Sequence, residues 1–183
     1  MVLKMLLHAG SGPWINKPPN DFAAYKEIRL DADRNVQPDI VASITAMPMI
    51  KDGAFDAVFC SHTLEHLYIF EVALALREFH RVLAPGGVVR IHIPDLQSIG
   101  GKLALDQLDT VAYISPCGPI CAMDMIYGHQ GAIGAGNLFM QHKTGFTKGT
   151  ITRALEHAGF GKVDVRRDSF EMEVNAFRCA DIS

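Results

Sequence analysis

Glycines, acids and histidines in this 183-residue chain fall where they could do chemistry. An apolar run, Met5-Leu6-Leu7, stops at the turn Ala9-Gly10-Ser11-Gly12, and a second apolar run ends on Asp31 and Asp33. Glycines after a first strand let backbone N–H groups approach a ligand. An acid about twenty residues on can accept hydrogen bonds from ribose hydroxyls. Together they lay out a nucleoside-binding α/β unit, with Asp31 the better placed acid. Histidine titrates near neutrality and can take a proton from a reacting group. His62 and His66 follow an apolar strand, while His129 and His142 lie in a long segment of weak periodicity. His62, His129 and His142 are the candidate catalytic residues. Glu65 reads as a structural acid near a helix start, where negative charge is favoured.

Other chemistries find less support. Four cysteines are scattered, and Cys117-x-x-x-Cys121 lacks the partner pair of a tetrahedral zinc site. No His-x-x-x-His pair sits on a clear helix face, so no metal site is expected. The formal net charge is -3 and there is no basic tract, which argues against nucleic acid as a partner. No apolar run approaches the ~20 residues that cross a bilayer. The opening apolar patch is too short for a signal peptide. The expectation is a cytoplasmic protein of one domain, residues 1–183, with its thiols reduced.

The elements that must position these residues can be read from periodicity. Pro13 to Asn20 is a loop, and a short helix covers Asp21 to Lys26. Strands are expected over Glu27–Leu30, Ile40–Ile44, Phe55–Ser61 and Val88–Ile93. Val72, Leu76, Phe79 and Leu83 form one helical stripe, which Pro85-Gly86-Gly87 ends. A helix follows from Leu96 to about Leu108. Thr110 to Thr144 reads as an irregular cap with one short helix, Ile120–Tyr127. Thr147 caps a last helix that Gly159 ends. Lys162–Arg167 and Glu171–Cys179 are the last strands, and the short turn between them makes them antiparallel. Alternation of strand and helix predicts a doubly wound, mostly parallel sheet.

With these residues in place, the chain resembles the class I S-adenosylmethionine-dependent methyltransferases, closest to their type 11 small-molecule branch. His8-Ala9-Gly10-Ser11-Gly12 is similar to that family's first motif, and Leu30-Asp31-Ala32-Asp33 to its second. Ala46-Met47-Pro48, Phe55-Asp56-Ala57-Val58 and Ser61-His62-Thr63-Leu64-Glu65-His66-Leu67 resemble the region of strands three and four. Arg81-Val82-Leu83-Ala84-Pro85-Gly86-Gly87 resembles the turn before strand five. His142-Lys143-Thr144-Gly145-Phe146-Thr147 and Ala158-Gly159-Phe160 also recur in the branch. The resemblance implies a Rossmann-like seven-stranded sheet of order 3-2-1-4-5-7-6 with the last strand antiparallel. It implies S-adenosyl-L-methionine as cofactor: Gly10 and Gly12 against the methionyl part, Asp31 on the ribose, Met47 against adenine, Ser61 and His62 lining the pocket. Three features depart from the pattern, the first being that Pro13-Trp14 occupies the stretch of the first motif's third glycine. His8 stands where an acid helps hold the amino group, and Ser43 stands where an Asp meets the adenine amino group.

The expected activity is methyl transfer to an oxygen or nitrogen of a small acceptor by a monomer or homodimer. The sulfonium is already activated, so in-line positioning and exclusion of water supply most of the effect. The alternative is a non-catalytic domain of the same fold, with a degenerate cofactor site used for binding or assembly. A nicotinamide enzyme would need Gly-x-Gly-x-x-Gly, and position 15 is Ile15.

Overall fold

Side chains of alternate residues in a strand point to opposite faces, and that decides how this sheet is covered. The computed structural model describes residues 3–14 and 16–180; Met1, Val2, Ile15 and residues 181–183, and with them the expectations resting on Ile15 and the first two positions, lie outside the described residues. Strands β1 (Met5–Ala9), β2 (Lys26–Asp31), β3 (Ile40–Val41), β4 (Phe55–Ser61), β5 (Leu83–Pro94), β8 (Phe160–Asp168) and β9 (Glu171–Arg178) form one sheet. Its order is β3-β2-β1-β4-β5-β9-β8, which counted within this sheet is the expected 3-2-1-4-5-7-6. β9 runs antiparallel to β5 and β8, and the other pairs are parallel.

One face is apolar throughout. Leu7, Val58, Cys60, Val89, Ile91, Ile93, Met172, Val174 and Ala176 belong to one buried cluster. Helix α1 (Ile69–Val82) covers it with Val72, Ala75, Leu76, Phe79 and Val82; Val72, Leu76 and Phe79 are from the stripe read in the sequence, whose fourth member, Leu83, opens β5 instead. Helix α5 (Lys148–His157) adds Ile151 and Leu155, and Thr147 caps it as expected. The opposite face carries a smaller apolar cluster, Leu6, Phe22, Ala57 and Phe59. Beyond that cluster it is polar. Arg90 donates to Asn175 Oδ1 at 2.8 Å and to Asp21 Oδ2 at 2.7 Å, with its guanidinium over Phe22.

Five local expectations change. The expected helix over Asp21 to Lys26 is a 3-10 turn, Asn20–Phe22, and Lys26 opens β2. Strand β3 is two residues long, because Ser43 and Thr45 pair their hydroxyls in a turn. Pro85-Gly86-Gly87 is not a free turn but part of β5, where the register with β4 shifts between Phe55 and Ala57. The helix after β5, α2 (Leu96–Ala104), stops short of the expected Leu108. The segment expected to be an irregular cap contains a two-stranded hairpin, β6 (Val111–Ser115) with β7 (Gly118–Cys121). Helices α3 (Ala122–Tyr127) and α4 (Gln130–Gly134) follow it. Ile120, Ala122 and Met125 pack there with Ile99 of α2. No helix among the described residues is long and apolar enough to cross a membrane.

Leu76 is fully buried on α1 and Leu74, two residues away, is 44% exposed. Leu76→Ala is expected to cost ~2–5 kcal/mol in urea unfolding, as core truncations do. Leu74→Ala should stay within about 0.5 kcal/mol.

Candidate functional site

In open parallel sheets ligands bind beyond the C-terminal ends of the strands where the strand order reverses. Here that point lies between β1 and β4. The first strand delivers Gly10, Ser11 and Gly12 to it, the second Asp31, and the fourth Ser61 and His62. The glycine turn and Asp31 meet directly. Gly12 N donates to Asp31 Oδ2 at 2.8 Å, and Asp33 N donates to Oδ1 at 2.8 Å. A carboxylate has about four acceptor positions, so Asp31 keeps capacity for further donors.

Gly10 has φ +68, and a Cβ there would lie 2.3 Å from the hydroxyl of Thr63. Its lack of a side chain therefore makes room for Thr63, whose hydroxyl donates to the Ser61 carbonyl at 3.0 Å. Beneath the turn, Arg29 of β2 is buried and donates through Nη2 to the Gly12 carbonyl, with Trp14 stacked on its guanidinium at 4.0 Å. Its Nε and Nη1, and the hydroxyl of buried Ser11, have no protein partner. Arg29 escaped the sequence reading, although an arginine inside Glu27-Ile28-Arg29-Leu30 breaks an otherwise apolar strand.

Three of the expected cofactor residues sit differently from the expectation. His8 is buried in the polar face of the sheet, its Nδ1 2.7 Å from Glu27 Oε1. Burial lowers its pKa against the pull of Glu27. Met47 is wholly buried in the main core rather than turned to a ligand. Its backbone is clamped there: N donates to Glu78 Oε2 at 2.6 Å, and O accepts from Arg81 Nη2 at 2.9 Å. Ser43 is exposed just beyond β3, its hydroxyl engaged by Thr45 at 2.7 Å.

The three candidate histidines separate as well. His62 turns at φ +47, an uncommon conformation outside glycine that often marks functional sites. Its ring lies between two carboxylates, Nε2 3.0 Å from Glu171 and Nδ1 3.3 Å from Glu65. The side chain is exposed; desolvation by the groups packed around the ring pulls its pKa down, but Glu171 and Glu65 outweigh this and raise it to about 10. Such an imidazolium is a donor rather than a base. His129 caps α4, its Nδ1 accepting from Ala132 N at 3.1 Å, so that nitrogen is spent on the fold. His142 is partly buried, and burial lowers its pKa. It is brought beside His66, ring centroids 4.9 Å apart, and both lie next to buried Glu65.

Glu65 is therefore more than a helix-start acid. Burial would raise its pKa, yet His62 and His66 hold it below the ordinary carboxylate range. Its carbonyl accepts from Lys143 N at 2.7 Å and from Thr144 N at 3.2 Å, tying β4 to the segment that carries His142. A cleft of about 300 Å³ opens here, lined by Tyr68, Tyr127, Gln130, Ile133, Gln141, His142 and Lys143. That volume is at the lower end for small-molecule sites.

Residues 23–91 match the family model described as a methyltransferase domain. Sequence match and fold agree with the class I methyltransferase resemblance carried by the motifs. No curated protein matches the chain by sequence. Solved structures match its fold. A SAM-dependent methyltransferase from Methanosarcina mazei has a TM-score of 0.64 at 14% identity, with 99% of this chain and 95% of that one covered. One from Archaeoglobus fulgidus gives 0.59 at 14%, with 96% and 86% covered. The 1,6-didemethyltoxoflavin-N1-methyltransferase of Burkholderia thailandensis, solved with bound 1,6-didemethyltoxoflavin and S-adenosylhomocysteine, gives 0.58 at 14%, with 97% and 72% covered.

The pKa of His62 is raised above its ordinary 6.5, so its stabilising contribution is complete below pH 6.5 and lost as pH rises toward 10. His62→Asn keeps a residue that tolerates positive φ but cannot titrate. In thermal melts the wild type should exceed this variant most near pH 6, and the gap should shrink steadily by pH 10.

Proposed function

We propose that this chain transfers the sulfonium methyl group of S-adenosyl-L-methionine to an oxygen or nitrogen of a small acceptor. The observation that carries the reading is the 2.8 Å hydrogen bond from Gly12 N to Asp31 at the point where the strand order reverses. It joins the backbone turn and the acid that the cofactor's two halves require. The polar atoms left over there fit the group. The unpartnered Arg29 Nε and Nη1 and Ser11 hydroxyl are donors for a carboxylate. The spare acceptor capacity of Asp31 suits ribose hydroxyls.

Bound at this turn, the cofactor would supply an electrophilic methyl group. The chain's own part is to hold, align and desolvate. Gly10 and Gly12 shape the turn, Asp31 and Arg29 anchor polar ends, and Ser61 and His62 border the β4 side. The acceptor would enter the cleft beside Tyr68, Tyr127 and His142. His142 donates Nδ1–H to the Met125 carbonyl at 3.0 Å, which leaves its Nε2 with a lone pair. We place the protein in the cytoplasm, in keeping with its free thiols at Cys60, Cys117, Cys121 and Cys179. It would act there as a monomer or homodimer.

One observation favours the non-catalytic reading. Thr63 already occupies the space against Gly10. The two readings differ in ligand binding and turnover. S-adenosylhomocysteine should raise the melting temperature, because it binds only the folded state. Asp31→Ala should weaken its binding about tenfold or more in calorimetry, the loss of charge-assisted hydrogen bonds in a partly buried site. Unchanged affinity in that variant would remove Asp31 from the site. No binding by the wild type would leave the non-catalytic reading.

A further inference from the structure

Three side chains outside the turn that would hold the cofactor converge beside the cleft. One ligand atom each from Glu65, His66 and His142 lies within 4.8 Å of the others. His66 Nδ1 is 3.0 Å from the Gln141 carbonyl, and His142 Nδ1 is 3.0 Å from the Met125 carbonyl. A carbonyl only accepts, so each ring must place its proton on Nδ1, and each neutral ring then presents a bare lone pair at Nε2. The third member, Glu65, is buried, and its Oε2 has no partner at all. His62 reaches only the other Glu65 oxygen, Oε1, so Oε2 is a buried acceptor that a cation shared with His66 and His142 would satisfy.

We propose that Glu65, His66 and His142 bind a divalent transition-metal ion. The chemistry of the set selects its class. Two imidazoles and one carboxylate suit zinc, iron, cobalt, nickel or manganese better than calcium or magnesium, which prefer all-oxygen shells. Backbone carbonyls on the far nitrogens of both rings are the second-shell partners that metal-bound histidines characteristically have. Ligands about 2.0–2.2 Å from one ion sit ~3–4 Å apart, so the three need to close by about 1 Å. The scaffold around them is fixed: Glu65 O takes Lys143 N and Thr144 N, and His142 N donates to Tyr127 O at 3.1 Å. Three protein ligands leave coordination positions open, as catalytic rather than structural sites do. His142 also lines the cleft.

The test uses cobalt(II), whose visible absorption reports its ligands, added to full-length protein stripped with a chelator. The wild type is expected to take up one ion per chain with visible bands. Glu65→Gln and His142→Ala should each weaken binding by about 100-fold or more, beyond the 10–100-fold typical of second-shell changes. His157→Ala should bind like the wild type, since His157 is exposed on α5, its Nδ1 bonded to the Arg153 carbonyl. Circular dichroism identifies any variant that fails to fold, and His66→Gln then serves as the second ligand variant. Cobalt bands that survive unchanged in folded His142→Ala and His66→Gln would overturn the proposal, as would a wild type that takes up no cobalt. Neither probe nor readout involves the sulfonium cofactor, so the outcome is independent of the methyl-transfer reading.

Discussion

Glu65 is the residue through which the two halves of the site communicate. It follows β4 in a 3-10 turn and is buried with its carboxylate ionised. An ion in such a place is tolerated only when its neighbours compensate the lost hydration. His62 does so from the sheet edge, while the backbone carbonyl receives two N–H groups from residues 143 and 144. The loop after β4 and the segment before α5 are held as one body for that reason. His142, the cleft and the position of Phe146 in the core all depend on the join.

A second constraint acts on the other side of the switch point. Where a helix would normally follow β1, this chain has a proline-containing loop and the 3-10 turn Asn20–Phe22. The turn after β1 must then be held by side chains. Asp31 takes one backbone N–H of Gly12, and Arg29 takes its carbonyl from below. The same economy shapes the outer face of the sheet, where Arg90, Asn175 and Asp21 form a hydrogen-bonded strip next to a small apolar cluster. Arg29 costs desolvation energy in this position, and its unpartnered nitrogens are where an anionic ligand group would recover it.

Most strands were legible because they announce themselves locally, while their order came from the family resemblance. Phe55–Ser61 is apolar on both faces, and β9 alternates Met172, Val174 and Ala176 with Glu173 and Asn175. The helix stripe Val72, Leu76, Phe79 was equally direct. The cap hairpin was not, since Val111–Ser115 and Gly118–Cys121 are short and joined through Pro116 and Cys117. Roles that depend on side-chain direction were the least legible. Met47 falls in the right stretch but is pulled into the core by Glu78 and Arg81, a contact across 31 and 34 residues. His129 reads as a reactive group and turns out to cap a helix. The pairing of Glu65 and His66 with His142 spans more than seventy residues, beyond any spacing rule for metal ligands.

The central claim is that the turn after β1, Asp31 and the end of β4 form one binding surface for the methyl donor. Titration of isotope-labelled protein with S-adenosylhomocysteine, followed by amide resonances, tests it residue by residue. Saturable shifts are expected at Gly10, Ser11, Gly12, Asp31, Ser61 and His62, with little change along β8. A spectrum that does not respond, or responses confined to residues away from this edge, would contradict it.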